Sequence, residues 1–149
     1  MREVRGHDTG VSELVHDVRH GEFGRTLSIL TGVGSLITAG EIFIAHDKAS
    51  FGNRWMWLPV ALGPVGAAAG VAGLVSETAS HTALPLASAS IVANGLQGTF
   101  FHVRGVGQKP GGWRNARYNL EMGPPLFAPL LMTMVGGMGL VAALLRRKI

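Results

Sequence analysis

The chain has 149 residues, 22 of them glycine and none cysteine, with 47% hydrophobic and only 15% charged side chains. Ordinary soluble domains carry ~25% charge, and the net charge of +4 lies in tails and connections where no basic module could hold a duplex, so no nucleic-acid partner is expected. Without cysteine, disulfides, thiol catalysis and thiolate metal sites are excluded.

Residues 1–25 are polar. Within them Val11, Leu14, Val15 and Val18 recur at i, i+3, i+4, i+7, the spacing of a short amphipathic helix ending near Gly21. The segment has no apolar core ahead of a small-residue cleavage site, so it is not read as a signal peptide. The chain beyond it is dominated by charge-free runs. Residues 55–76, 78–103 and 122–145 hold no Asp, Glu, Lys or Arg, and 26–45 hold only Glu41.

About 20 apolar residues carry a helix across the ~30 Å hydrocarbon layer of a bilayer. In water, four such runs would need nearly every helix to be apolar all round in a chain too short to bury them. No ten-residue apolar/polar alternation favours a transmembrane barrel. The expected fold is therefore all-α: one integral membrane domain over 1–149, a four-helix bundle with helices at about 26–45, 55–75, 82–101 and 124–145. A short N-terminal amphipathic helix precedes the bundle, and a long loop joins helices three and four. Pro124 and Pro125 are expected at the start of the fourth helix, where a missing N–H does no harm. Gly66 and Gly70, flanked by Ala69 and Gly73, and Gly139 with Ala143 are expected to mark close helix contacts.

Four crossings place the 46–54 link and the 102–123 loop on one face, and the two tails with the 76–81 turn on the other. The tail face counts Arg2, Arg5, Arg19, Arg25, Arg146, Arg147 and Lys148; the loop face counts Lys48, Arg54, Arg104, Lys109, Arg114 and Arg117. Charge bias barely separates the faces. The "RRK" run abutting the fourth helix sets the expected orientation, with both termini cytoplasmic in a plasma or inner membrane.

The candidate binding residues all belong to the loop face: Glu41, His46, Asp47, Arg54, His102, Arg104, Trp113, Arg114, Arg117, Tyr118 and Glu121. Glu41 is a carboxylate inside a helix, which costs about 2.5–3.5 kcal/mol at the bilayer centre. It is expected to face the bundle and pair with a cation such as Arg54 or Arg104, its alternatives being proton coupling or metal ligation. His46 and His102 end helices one and three on one face. They could hold a haem between helices, or join Glu41 and Glu121 in a carboxylate-rich metal site; the leading expectation is no cofactor.

Asn94, Gly98 and His102 form an i, i+4 stripe with Ser90 behind and Gln97 alongside. This stripe reads as hydrogen bonding between helices, or as the wall of a small cavity or quinone pocket. In "GVGQKPGGWRNARYN" there is no Gly-Lys-Ser/Thr, so the loop is not a phosphate-binding P-loop. Trp113 and Tyr118 suit headgroup depth, and Arg114 and Arg117 suit phosphates or a docked subunit.

Four short helices with a carboxylate in the first resemble the small multidrug resistance transporters. That resemblance covers architecture and Glu41, and implies proton-coupled export. The chain departs from it in the off-centre position of Glu41 and in its long basic third loop. No nucleophile–base pair or paired-carboxylate spacing is legible. The leading expectation is a non-catalytic accessory or anchor subunit whose loops bind a partner protein, lipid headgroup or redox component. A Glu41 transporter and a haem or metal oxidoreductase subunit are the alternatives.

Overall fold

The computed structural model describes residues 9–19 and 21–146. The cations Arg2, Arg5, Arg147 and Lys148, on which the expected orientation partly rests, lie outside the described residues. Among the described residues helices joined by short turns make up the chain, with no strand. The elements are α1 Thr9–Arg19, α2 Glu22–Lys48, α3 Trp57–Val75, α4 Glu77–His81, α5 Ala83–Gly107, α6 Ala116–Glu121 and α7 Phe127–Arg146. Two short 3-10 turns, Arg54–Met56 and Gly112–Asn115, precede α3 and α6.

The amphipathic pattern at 11–18 does form a helix, α1, and it stops where expected: Gly21 has φ 74°, a left-handed conformation that glycine adopts without penalty. Val11 and Val15 remain exposed. α2 then runs for 27 residues, beyond the expected 26–45 at both ends, because nothing between Glu22 and Lys48 breaks a helix. It ends in a tight reversal: the N–H groups of Ala49 and Phe51 both donate to the His46 carbonyl, at 3.1 and 3.0 Å. Ser50 and Phe51 take left-handed φ values of 54° and 43°, which non-glycine residues adopt only when their surroundings hold them there. Phe51 is held by stacking on Trp57, with centroids 4.0 Å apart and the planes tilted by 11°.

Asn53 opens the next element by accepting the Trp55 N–H at 3.0 Å, and Pro59 falls in the first turn of α3, where its missing N–H is harmless. Ser76 caps α4 through the Ala79 N–H at 3.2 Å. α5 continues past the expected end at 101 to Gly107, so His102 and Arg104 are helical positions and not loop residues. The fourth long helix starts later than expected, at Phe127. Each proline pushes the residue before it out of the helical region, which keeps Gly123 and Pro124 out of the helix.

α2 packs against α3 and α7, and α5 packs against α3 and α7. The contact faces are made of small residues, as the glycine spacing predicts. Gly63, Gly66, Ala69, Gly70 and Gly73 form the buried side of α3, and α2 presents Ser28, Thr31, Gly32, Ser35 and Ala39. A Cβ on Gly70 would sit 2.7 Å from the Ser28 carbonyl oxygen, so only glycine permits this approach. Ser28, Thr31 and Ser35 turn their hydroxyls back onto carbonyls of their own helix, at 2.9, 2.7 and 2.7 Å. They therefore fill the interface as small shapes and spend no hydrogen bond across it.

Apolar clusters sit at the two ends: Leu84, Ala142 and Ala143 with Leu27 at one, and Ile42, Ile91 and Met132 at the other. The large apolar side chains are mostly outside; Ile29, Leu30, Val33, Leu36 and Ile37 of α2 are all exposed. Three helical stretches are long and apolar enough to cross a membrane: Glu22–Lys48, Arg54–Val75 and Phe127–Leu145. α5 has the length, at 25 residues, but Asn94, Gln97 and its serines lower its apolar character.

Candidate functional site

The ends of α2, α3, α5 and α7 nearest the two connections splay around a cavity of about 580 Å³, within the ~300–1,000 Å³ range of small-molecule sites. Its floor is Ile42 and Met132, which also belong to the apolar cluster above. Pro59, Phe101, Pro124, Pro125 and Pro129 contribute rigid apolar walls, and Trp55 and Met56 come from the turn before α3. The polar groups in the lining are His46, Lys48, Asn53, Asn94, Gln97 and His102. Among the described residues Lys48 is the only Lys, Arg, Asp or Glu that lines the space.

Both histidines are fixed by backbone partners. Nδ1 of His46 lies 2.9 Å from the Met56 carbonyl oxygen, and Nδ1 of His102 lies 2.6 Å from the Pro125 carbonyl oxygen. A carbonyl can only accept, so each ring carries a hydrogen on Nδ1. The neutral form of each imidazole then has an Nε2 lone pair without a partner among the described residues. The two rings lie close enough to interact electrostatically. The bond from His102 to Pro125 exists because the double proline delays α7 and leaves that carbonyl outside the helix. The bond from His46 to Met56 ties the end of α2 to the turn that starts α3.

The Asn94, Gly98, His102 stripe faces this cavity, with Gln97 beside it. The expected bonding between helices is not made by these amides: Asn94 donates to Gln97 on its own helix, at 3.4 Å. Ser90 likewise donates to the Leu86 carbonyl at 2.9 Å, one turn back in the same helix.

Other predicted residues lie elsewhere. Glu41 is exposed on the outer side of α2, does not line the cavity, and has no ion pair among the described residues. The expectation of an inward, paired carboxylate is corrected. The rotation of α2 is set by the close approach of its Ser28, Gly32, Ser35 and Ala39 to α3, and position 41 falls outside that face. Glu121 bonds Arg117 at 3.4 Å, with side chains 61% and 94% exposed, a surface pair worth little. Glu41 and Glu121 are thus not gathered with the histidines, and no group of three or more potential ligands assembles among the described residues. Asp47 is exposed and serves through its carbonyl, which accepts the Ser50 N–H at 2.7 Å. The Arg54 guanidinium lies 5.4 Å from the Trp55 ring centroid, an exposed cation–π contact.

The expected long loop is a folded cap. Asn119, 1% exposed, donates from Nδ2 to the carbonyls of Gly112 and Pro110, at 2.8 and 3.2 Å. The reversal it clips uses Gly111 and Gly112, with φ 80° and 50°. Val106 is fully buried at the base of this cap, where Gly123 also packs. Arg104, Trp113, Arg114, Arg117 and Tyr118 are exposed.

Asn119 and the proline walls were not among the residues read as functional from the sequence. Four of the seven prolines, Pro59, Pro124, Pro125 and Pro129, cluster where the elements approach the two connections, which is the signal that could have located the cavity. No protein-family model matches the chain, no curated protein is significantly similar to it, and no solved structure resembles it.

Proposed function

We propose that this chain is an integral membrane protein in which α2, α3, α5 and α7 form a four-helix transmembrane bundle. We read it as a non-catalytic accessory or anchor subunit that holds a lipophilic small molecule in the cavity between its helix ends. The observation that carries the reading is the cavity itself: apolar and proline-walled, with two backbone-anchored imidazoles among its few polar groups.

Support for the bilayer comes from the distribution of side chains. Small and hydroxyl residues make up much of the interior while most of the large Leu, Ile, Val and Phe side chains are exposed, the arrangement expected where lipid and not water is the solvent. α5 fits as the fourth span despite its amides. Asn94 and Gln97 line the cavity, and Leu86, Leu96 and Phe100 face outward. The cap, with exposed Trp113, Arg114, Arg117 and Tyr118, is suited to phospholipid headgroups or a docked subunit at the membrane boundary. The alternative of proton-coupled transport through Glu41 is weakened by its position outside the cavity.

Native mass spectrometry of protein purified in mild detergent tests the binding function. Wild-type protein should retain a lipophilic compound, and Ala128→Trp, which fills the cavity, should lose it. Identical spectra for the two proteins would count against the proposal.

A further inference from the structure

Resting on the reading of the cavity as a ligand site, its chemistry narrows the ligand. Two histidines reach the lining from α2 and α5, each with Nδ1 already committed to a carbonyl, at 2.9 Å for Met56 and 2.6 Å for Pro125. The edge left to a ligand is Nε2 in both rings, an acceptor when the ring is neutral. A pair of acceptors calls for a ligand with a pair of donors. A metal cation would satisfy two imidazole nitrogens, but among the described residues no carboxylate lines the cavity, and the cationic residue Lys48 does. A cationic amine is disfavoured for the same reason. The walls, formed by Trp55, Pro59, Phe101 and Pro129, are flat and apolar, suited to the faces of a ring.

We infer that the cavity binds a hydroquinone-type head, an aromatic ring bearing two hydroxyls, with its O–H groups donating to Nε2 of His46 and Nε2 of His102.

The test compares tert-butylhydroquinone with its dimethyl ether, which keeps the ring and the bulk but has no O–H to donate. Binding is measured by calorimetry in detergent, under argon and at about pH 8, above the ordinary imidazole range. Ala128→Trp provides the baseline for partition into micelles. Wild-type protein should bind the hydroquinone roughly 30-fold more tightly than the ether, the ratio for two net hydrogen bonds.

His102→Asn and His46→Asn should each cut that preference about fivefold, one hydrogen bond's worth. The asparagine amide can still donate to Pro125 or Met56, but nothing replaces Nε2, so the helix ends stay tied. Equal affinities for the two compounds in wild-type protein, above the Ala128→Trp baseline, would overturn the hydroxyl proposal and leave the cavity reading standing. Signals no greater than that baseline for both compounds would overturn the cavity reading as well. A preference unchanged in both asparagine variants would remove the histidines from recognition and overturn the inference as stated.

Discussion

Glu41 and the pair His46/His102 illustrate how differently the same helix can use its polar residues. All three were expected to gather on one face. The histidines do, because each lies towards the end of its helix within hydrogen-bond reach of a backbone carbonyl in a neighbouring turn. Glu41 does not: five residues before His46, it falls on the outer side of α2. An outward carboxylate with no ion pair among the described residues adds little to the fold, so Glu41→Gln should change unfolding stability in detergent by less than about 0.5 kcal/mol. A loss of 2 kcal/mol or more in thermal or denaturant unfolding would restore the paired carboxylate that the sequence suggested.

At the scale of elements, the contact between α2 and α3 depends on residues too small to hold the backbones apart. A Cβ at position 70 would meet the Ser28 carbonyl oxygen at 2.7 Å and the Gly32 nitrogen at 2.9 Å. Backbone atoms cannot swing aside as a flexible side chain does. Gly70→Ala should therefore destabilise the protein by about 1–3 kcal/mol. Gly40→Ala is the control, since nothing lies within 4 Å of its new Cβ; there the gain in helix propensity should leave stability unchanged or raise it by up to ~1 kcal/mol. Chemical unfolding of the two variants in one detergent checks the contrast. Equal effects would mean that the α2–α3 approach is looser than described.

The cap after α5 makes a related point. Its composition suggested an interfacial loop, and its exposed Trp113, Arg114, Arg117 and Tyr118 agree with that. What orders it is Asn119, a residue without charge or bulk, whose amide satisfies two turn carbonyls at once. A lone asparagine in a sequence carries no sign of where its amide will point. The registers of α5 and α6 bring it there.

For the whole molecule, the two connections lie at the same end: His46, Lys48, Asn53 and Met56 from one and Gly123, Pro124 and Pro125 from the other line one cavity. In the proposed bilayer setting both are accessible from a single side. A membrane-impermeant amine reagent applied to oriented vesicles should then modify Lys48 and Lys109 together or leave both untouched. Modification from opposite sides would overturn the four-span topology and, with it, the assignment of α5 as a span.

Chain length, the charge-free runs and the spacing of Gly66, Gly70, Gly139 and Ala143 were sufficient to anticipate an all-helical chain, its apolar helices and their small-residue contacts. These features are local: helical hydrogen bonds close within four residues, and apolar run length is a property of the strand of sequence itself. The rotation of each helix about its axis was not local. Only the packed structure decided that Glu41 turns outward, that Asn94 and Gln97 bond each other beside a cavity, and that delayed entry into α7 frees the Pro125 carbonyl for His102. Those outcomes depend on which neighbouring backbone each glycine admits, and that is settled between helices far apart in the chain.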